Sequence, residues 1–262
     1  MKILHIWDVC GIANTIAKFM DRTFGTSSRV ISRKAFDPFG LNTYTKPLES
    51  GAKVFVLKAI LEARKYDILH VQTLDKIIPY LNILYHKPVI LSYYGSDIRD
   101  KWKPRQKLWS HADLILYSTQ ELLTSETPKQ ALWFPCPIDT ELFYPRDSAS
   151  PETAVTFEYN ANDLATKYAT EKGLALTIRK RSVRYQEMPD FLSKFEYYVD
   201  VKRSKDGELS KAMSKTGLEA LACGCKAIRW DGQVMSELPE EHKAENTVRK
   251  LHEFYQILLR KS

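Results

Sequence analysis

Short apolar runs alternate with segments of helical periodicity along most of this 262-residue chain. The runs have the length of strands, and between most of them apolar residues recur at three- and four-residue spacing. Strands and helices that alternate in this way build a parallel sheet with helices on both faces. The pattern therefore predicts an α/β protein.

Two series of these elements can be distinguished. The first contains predicted strands at residues 3–7, 29–31, 68–71, 89–93, 114–117 and 132–134, and predicted helices at 14–24, 52–65, 76–85, 105–110 and 121–125. The second contains predicted strands at 154–157, 174–178, 196–201 and 226–230, and predicted helices at 162–171, 190–195 and 215–223. The polar stretch 146–152 looks like the connection between them. We predict two domains, residues 1–146 and a smaller 147–262, with a last helix at 240–259 that can pack back on the first.

Composition indicates a folded core, and the net charge indicates the charge of the binding partners. Hydrophobic residues make up 44% of the chain and aromatic residues 11%, which argues against disorder. The net charge of +7 favours anionic partners such as nucleotide phosphates, nucleic acid or an acidic membrane surface. The apolar run at residues 1–7 is too short for a signal peptide or a membrane span, so we interpret it as the first strand and expect a cytoplasmic protein.

The four cysteines indicate neither a disulfide framework nor a zinc site. They are Cys10, Cys136, Cys223 and Cys225. No histidine lies near them in the sequence to complete a zinc-binding set. Reduced cysteines without metal are the simplest interpretation.

The segment at residues 214–228 predicts a helix that opens on small polar residues and leads directly into a strand. The free N–H groups and positive dipole end of such a helix can bind an anion, while Glu219 can accept hydrogen bonds from a hydroxylated ligand. Together these groups suit a nucleotide sugar. The candidate binding residues are Ser214, Lys215, Thr216, Gly217 and Glu219. A helix–strand unit without any ligand shows the same apolar stripe, so both interpretations stay open on this segment alone.

Two further polar clusters follow predicted strands, where open α/β sheets bind their ligands. Gly11 follows the first strand and allows the backbone to approach a ligand closely. Asn14, three residues further on, is either the N-cap of the next helix or a substrate contact. Tyr94 and Asp97 follow the strand at 89–93. Asp97 could contact a substrate or simply cap the following turn.

Six short motifs follow one another along the chain. They are the Gly11 loop, Asp-Ile-Leu-His at 67–70, Tyr-Gly-Ser-Asp at 94–97, His-Ala-Asp at 111–113 with Ser-Thr at 118–119, the proline-rich segment 135–145, and Leu-Glu-Ala-Leu-Ala-Cys-Gly at 218–224. In this order they resemble a compact variant of the retaining glycosyltransferases of the large group-one, or family-four, class. The likeness extends over residues 1–145 and again over about 196–232.

The resemblance implies a fold and a separate binding role for each of the two domains. The fold is GT-B, with two Rossmann-like domains built on parallel sheets, the second reduced in size here. The first domain is expected to hold the acceptor and the second the nucleotide sugar. The resemblance also implies that Glu219 binds the nucleotide ribose and that backbone N–H groups around Thr216 and Gly217 hold phosphate or sugar. Gly11 is expected to face the sugar and phosphate from the first domain.

The chain departs from that class at positions that contact the donor. Lys211 stands where the class has a glutamate that touches the donor sugar, and Tyr94 stands where it has a histidine. In that class a glycine-arginine turn and a later lysine grip the diphosphate, and residues 154–173 contain no such turn. We expect Lys202 and Arg203, at the end of a predicted strand, to replace them. A second basic group is better explained as a solvated surface and consists of Arg179, Lys180, Arg181 and Arg184.

These observations lead to a metal-independent, retaining glycosyltransferase that needs no cofactor beyond its nucleotide-sugar substrate. No Asp-x-Asp metal signature occurs in the sequence. We expect Tyr94, Asp97 and Lys202 to be catalytic. The expected donor-binding residues are Gly11, Arg203, Ser214, Lys215, Thr216, Gly217 and Glu219. The alternative is a non-catalytic GT-B relative that binds a nucleotide sugar or a carbohydrate.

The acceptor is expected to be a sugar or a lipid-linked molecule. Trp102 and Trp109 alternate with cations, a composition that suits a lipid headgroup region, so peripheral contact with an anionic membrane at its inner face is a further expectation. Tryptophan also stacks on sugar rings, which keeps a soluble acceptor open. No nucleic-acid-binding motif is present, and no nucleic-acid partner is expected.

Overall fold

The computed structural model describes residues 1–146, 148–180, 182–204 and 207–261. The chain forms two compact units. The first runs from Met1 to Pro137 and resumes at Ala244, and the second spans Ile138–Lys243. The sequence predicts a single domain boundary at 146/147. In the structure the chain passes from one unit to the other twice, because the C-terminal segment that begins at Ala244 belongs to the first unit.

The first unit is built on a six-stranded parallel sheet. Its elements are β1 (Lys2–Ile6), α1 (Ile12–Phe24), β2 (Ser27–Ile31), α2 (Ala52–Ala63), β3 (Ile68–Gln72), α3 (Ile78–Leu84), β4 (Val89–Tyr93), α4 (Gln106–Trp109), β5 (Leu114–Tyr117) and β6 (Ala131–Trp133). The strand order is β2-β1-β3-β4-β5-β6, with all pairs parallel. The chain leaves β1 towards β2 and then passes back to β3. The carboxyl ends of β1 and β3 are therefore the topological switch point, where sheets of this kind bind ligands.

Burial explains why these runs form strands of a parallel sheet. Every residue of β3 and β4 is buried, as expected for strands that are covered by helices on both faces. Phe55, Ala59 and Ala63 on α2 repeat at four-residue spacing and pack against the sheet. Helix α2 therefore belongs to the same hydrophobic core as β2 and β3, the strands that precede and follow it in the sequence.

The second unit has a smaller sheet of five strands. Its elements are β7 (Ser150–Phe157), α5 (Asn162–Glu171), β8 (Ala175–Arg179), α6 (Met188–Leu192), β9 (Phe195–Val199), α7 (Lys215–Ala222), β10 (Lys226–Ile228) and β11 (Val234–Met235). The order is β11-β10-β9-β7-β8, and only β11 is antiparallel to its neighbour among the described pairs. Its switch point lies at the carboxyl ends of β7 and β9.

The C-terminal helix α8 (Ala244–Leu259) completes the first unit. The ring of His252 stacks on Phe24 of α1 at a centroid distance of 3.9 Å. Tyr255 reaches the sheet, and its hydroxyl lies 2.6 Å from Nδ1 of the buried His70. Within the described part of the chain, no helix combines the length and apolar content that a membrane span requires.

Several predicted helices differ in their bounds from the observed ones; the one predicted at 190–195, for example, is α6 at Met188–Leu192. The segment predicted as a helix at 121–125 forms a 3-10 turn at Gln120–Leu122. The hydroxyl of Thr127 accepts the Thr124 N–H at 2.8 Å and donates to the Leu122 carbonyl at 3.1 Å, which replaces helical hydrogen bonding. The last helix begins at Ala244 rather than 240, after a separate 3-10 turn.

Candidate functional site

Asp8 organises the loop that follows β1 in the first unit. One carboxylate oxygen accepts the Ala13 N–H of α1 at 2.8 Å, and the other accepts the side-chain amide of Asn14 at 2.8 Å. Asn14 is buried inside α1, and its carbonyl oxygen accepts the backbone N–H groups of Tyr44 and Thr45 at 3.1 and 3.0 Å. Asn14 is therefore not the N-cap of α1, which is Gly11, and its side chain holds the loop at 42–45 in place.

Backbone strain is concentrated at the switch point of the first unit. Gly11 has a φ of 78°, and a Cβ there would lie 3.1 Å from the Leu41 carbonyl oxygen. The non-glycine residues Trp7, Cys10 and Thr73 have φ values of 76°, 54° and 58°. Such conformations are costly and cluster where loops are positioned for binding. Gly11 therefore occupies a position that requires glycine, at the edge where a ligand is expected.

Tyr94 and Asp97 lie together after β4 and are fixed by local hydrogen bonds. The Asp97 carboxylate accepts the N–H groups of Tyr94 at 2.9 Å and Gly95 at 2.6 Å, so it does cap this turn. Burial raises the pKa of Asp97, and the backbone hydrogen bonds act in the opposite direction. The Tyr94 hydroxyl donates to the side-chain carbonyl of Gln72, and burial raises the pKa of Tyr94 well above its usual value. Tyr94 is therefore a protonated hydrogen-bonding group rather than a base.

Lys202 and Arg203 lie at the switch point of the second unit. The Arg203 N–H donates to the side-chain carbonyl of Asn160 at 3.1 Å, which ties the loop after β9 to the loop after β7. The Lys202 ammonium lies 4.5 Å from the ring centroid of Tyr159. The Arg203 guanidinium pairs with Asp163 at 3.0 Å, with side chains 33% and 71% exposed. The predicted cations are thus placed together, and both have contacts within the unit.

Asp200 lies at the start of α7 and was not predicted as a site residue. Its carboxylate accepts the backbone N–H and the hydroxyl of Ser214, each at 2.6 Å, and the same hydroxyl accepts the Gly217 N–H at 3.0 Å. A Cβ on Gly217 would lie 2.5 Å from an Asp200 carboxylate oxygen. The expectation of free N–H groups is therefore wrong for Ser214 and Gly217, because a side-chain anion and a cap already satisfy them.

Glu219 and Lys215 form a buried ion pair one turn into α7. Their side chains are 4% and 11% exposed. The Lys215 ammonium also donates to the Tyr185 hydroxyl at 2.7 Å and lies 4.6 Å from that ring's centroid. Burial raises the pKa of Tyr185 well above its usual value, so its hydroxyl stays protonated. Thr216, between these two residues on the helix, is also buried.

The remaining basic groups named from the sequence also belong to the second unit. Lys211 lies with its ammonium 5.7 Å from the ring centroid of Trp230. In the second basic group, Arg179 and Lys180 are exposed, while Arg181 lies outside the described residues. Arg184, also exposed, precedes a 3-10 turn.

The two tryptophans that suggested membrane contact are buried in the first unit. Trp102 is 1% exposed and Trp109 is 8% exposed. Their indole N–H groups donate to the backbone carbonyls of Leu122 and Trp102 at 2.8 and 2.6 Å. They therefore form part of the core and are not available to a headgroup region or a sugar ring.

Sequence reasoning missed Asp8, Gln72 and Asp200. Each lies at or just beyond the carboxyl end of a strand in the first or second unit. Asp200 was missed because the predicted strand, 196–201, includes it, whereas β9 ends at Val199 and leaves Asp200 in the following loop. Among the residues that the structure describes, no group of three or more histidine, cysteine, aspartate or glutamate side chains is arranged to hold a metal ion.

No protein-family model and no curated protein matches this sequence. Solved structures do match its fold. AviGT4, a glycosyltransferase involved in avilamycin A biosynthesis, has a TM-score of 0.67 at 10% identity over 99% of this chain and 98% of that one. An alpha-glucosyltransferase in complex with UDP and a 13-mer DNA containing an A:G mismatch has a TM-score of 0.58 at 14% identity, over 100% and 93%. The Staphylococcus aureus protein MnaA with UDP has a TM-score of 0.52 at 13% identity, over 97% and 87%.

At these identities the likeness concerns the fold. The two sheets have the parallel, Rossmann-like order described above, apart from the short antiparallel β11. The predicted fold class is confirmed: the chain has the α/β fold of GT-B glycosyltransferases, with a smaller second unit.

Proposed function

We propose that this protein is a glycosyltransferase that takes a sugar from a nucleotide-sugar donor bound by the second unit. The observation that carries the proposal is the grouping of cations and buried carboxylates around the switch point of that unit. Lys202 and Arg203 follow β9, Asp200 links β9 to the start of α7, and Glu219 lies one turn further on. The likeness in fold to AviGT4 supports the same function.

The cations suit the diphosphate of the donor. A departing nucleoside diphosphate carries negative charge that a guanidinium and an ammonium can stabilise. The bond between Arg203 and Asp163 is an exposed ion pair, which contributes little to stability. Arg203 can therefore exchange Asp163 for a phosphate at small cost. We assign the diphosphate to Lys202 and Arg203.

The carboxylates suit hydroxyl groups of the donor. Asp200 already supplies negative charge to the N-terminus of α7, which opposes a second anion there. An ionised carboxylate accepts hydrogen bonds from ribose or sugar hydroxyls. We therefore assign hydroxyl groups, and not phosphate, to the α7 end of the site, next to Asp200 and Glu219.

The acceptor is assigned to the first unit, at the switch point formed by the Gly11 loop and the turn at Tyr94. The strained backbone there and the protonated Tyr94 hydroxyl support a site that binds hydroxylated molecules. Transfer with retention and without a metal ion completes the proposal. Sugars and lipid-linked sugars are the acceptor classes to test.

Binding measurements with matched variants test the donor site. Isothermal titration calorimetry with UDP, GDP, ADP, TDP and their sugars should find one nucleotide that binds. Lys202→Ala and Arg203→Ala should each weaken that binding at least about tenfold. Lys167→Ala is the control, because Lys167 is an exposed cation paired with Glu171 on α5. Equal affinities in all variants, or no binding of any nucleotide at millimolar concentration, would contradict the proposal.

A second candidate is a binding protein without turnover. The Asp200 carboxylate favours it, because it occupies the N-terminus of α7, which would otherwise be able to stabilise a departing phosphate. Release of nucleoside diphosphate in the presence of an acceptor panel separates the two functions. The panel should include a short DNA duplex, since the alpha-glucosyltransferase structure contains DNA; we expect no transfer to it. Activity that EDTA does not change would support transfer without a metal ion. A product with the same anomeric configuration as the donor, measured by NMR, would support retention.

A further inference from the structure

We infer that α2 and α3 form a docking surface for an anionic lipid bilayer. Six large apolar side chains on these helices are between 48% and 77% exposed. They define the α2/α3 face and are Val54, Leu57, Leu61, Tyr80, Ile83 and Leu84. Single exposed apolar residues are ordinary on proteins, whereas a cluster on two neighbouring helices marks an interaction surface.

Helix α2 is apolar on two opposite sides. Its inward stripe, Phe55, Ala59 and Ala63, packs on the sheet. Its outward residues on the α2/α3 face, Val54, Leu57 and Leu61, follow a second helical spacing and are 48–57% exposed. A helix that is apolar around most of its circumference is normally covered on both sides. We therefore expect the outer side of α2 to be covered by a binding partner.

The two helices present one continuous surface. The connections from β2 to β3 and from β3 to β4 run in the same direction across the sheet, and right-handed crossovers put α2 and α3 on the same face. Both contribute to one core cluster, in which Phe55 of α2 joins Ile78 and Leu81 of α3. The exposed apolar residues of α2 and α3 thus lie side by side.

The charges on the segments that form the α2/α3 face are almost all positive. Residues 52–65 and 76–87 contain one carboxylate, Glu62, which pairs with Arg29 and Lys65. The exposed cations in these segments are Lys53, Lys58, Arg64, Lys65 and Lys76. Apolar side chains framed by lysines are the composition of helices that lie in the interface of anionic bilayers. A second copy of this chain would bring two like-charged faces together, which argues against a dimer through this surface.

This surface replaces the one expected from the segment with Trp102 and Trp109. Those side chains are buried, whereas the α2/α3 face is open. The inference does not depend on the proposed function, because a protein that transfers no sugar would bind vesicles through these helices all the same.

Vesicle co-sedimentation tests the inference with two charge-matched double variants. Leu57→Glu/Ile83→Glu changes the α2/α3 face, at positions 57% and 77% exposed. Leu123→Glu/Ile257→Glu changes two other exposed residues of the first unit, at 61% and 48%, by the same total charge. Vesicles of phosphatidylcholine with or without phosphatidylglycerol are used at low and at physiological salt. A neutral variant, Leu57→Gln/Ile83→Gln, separates the loss of apolar contact from the change of charge.

We expect the unsubstituted protein to bind the vesicles that contain phosphatidylglycerol, with weaker binding at higher salt. The α2/α3 variant should lower the partition coefficient at least about tenfold, the neutral variant less, and the control variant hardly at all. Three results would overturn the inference: no binding to anionic vesicles, equal loss in both Glu variants, or equal binding to neutral vesicles. A dimer in light scattering that Leu57→Glu/Ile83→Glu dissociates would overturn it as well, since the face would then be covered by a second copy.

Discussion

Replacing one member of the buried Lys215–Glu219 pair should destabilise the second unit far more than replacing both. Glu219→Leu leaves the Lys215 ammonium, which is 11% exposed, without its counter-charge, and Lys215→Leu leaves the Glu219 carboxylate, 4% exposed. Removing one partner of a buried pair costs about 3–5 kcal/mol. We expect about 3 kcal/mol for Glu219→Leu, at the low end, because the ammonium keeps the Tyr185 hydroxyl as an acceptor at 2.7 Å.

The double variant Lys215→Leu/Glu219→Leu removes both charges and fills the space with apolar atoms. It should lie within about 1 kcal/mol of the unsubstituted protein, so with single losses of about 3 kcal/mol or more the double-mutant cycle should give a coupling of at least about 5 kcal/mol. For a chain of this size, a loss of 3 kcal/mol lowers the melting temperature by about 6–12 °C. The control is Lys226→Leu, which breaks the more exposed pair with Glu196 and should change the melting temperature little.

Differential scanning calorimetry and urea unfolding measure these differences. If the single variants lose stability and the double variant loses their sum, the two charges do not depend on each other and the reasoning is refuted. The cycle also matters for function, because loss of nucleotide binding in a Glu219 variant means little while the variant is unstable. The double variant, if stable, isolates the contribution of the Glu219 carboxylate and the Lys215 ammonium to binding.

Three further outcomes are expected. Gly217→Ala places a Cβ 2.5 Å from an Asp200 carboxylate oxygen and should cost about 1–3 kcal/mol in urea unfolding, whereas Gly51→Ala, with open space around it, should cost less. Burial lowers the pKa of His5 from 6.5 to about 4, so the unfolded state binds its proton first as the pH falls. Stability present above pH 6.5 should therefore decline by about 3 kcal/mol towards pH 4, and less in His5→Leu, as urea unfolding at both pH values would show. Asp97→Ala removes the acceptor of two backbone N–H groups and should lower the free energy of unfolding, measured with urea, by about 1.5–3 kcal/mol, with partial recovery in Asp97→Asn.

Periodicity predicted the sheet well where strands are buried on both faces. The strands at Val89–Tyr93 and Leu114–Tyr117 have their predicted bounds, because the apolar run and the buried strand coincide there. Predictions failed where side-chain hydrogen bonds decide the backbone. The hydroxyl of Thr127 turns the chain after Leu122, and no periodicity signals this.

The polar contacts of the candidate site could be predicted only in part. The sequence places Lys202 and Arg203 after a strand, and the structure agrees, since position relative to a parallel strand is a local property. The contact between Asp200 and Ser214 joins residues 14 positions apart, and its geometry depends on tertiary packing. The same holds for the exposed outer side of α2, which resembles a core stripe in sequence and differs only in what covers it.

Hydrogen exchange with mass spectrometry, with and without a saturating nucleotide sugar, tests the central claim most directly. We predict slower exchange in the segments that follow β7 and β9 and at the start of α7, at residues 158–163, 200–204 and 214–219. The exposed helix α5 beyond this edge, at residues 166–171, should be unchanged. Protection that is absent from the three segments, or found only elsewhere in the second unit, would contradict a donor site at this switch point.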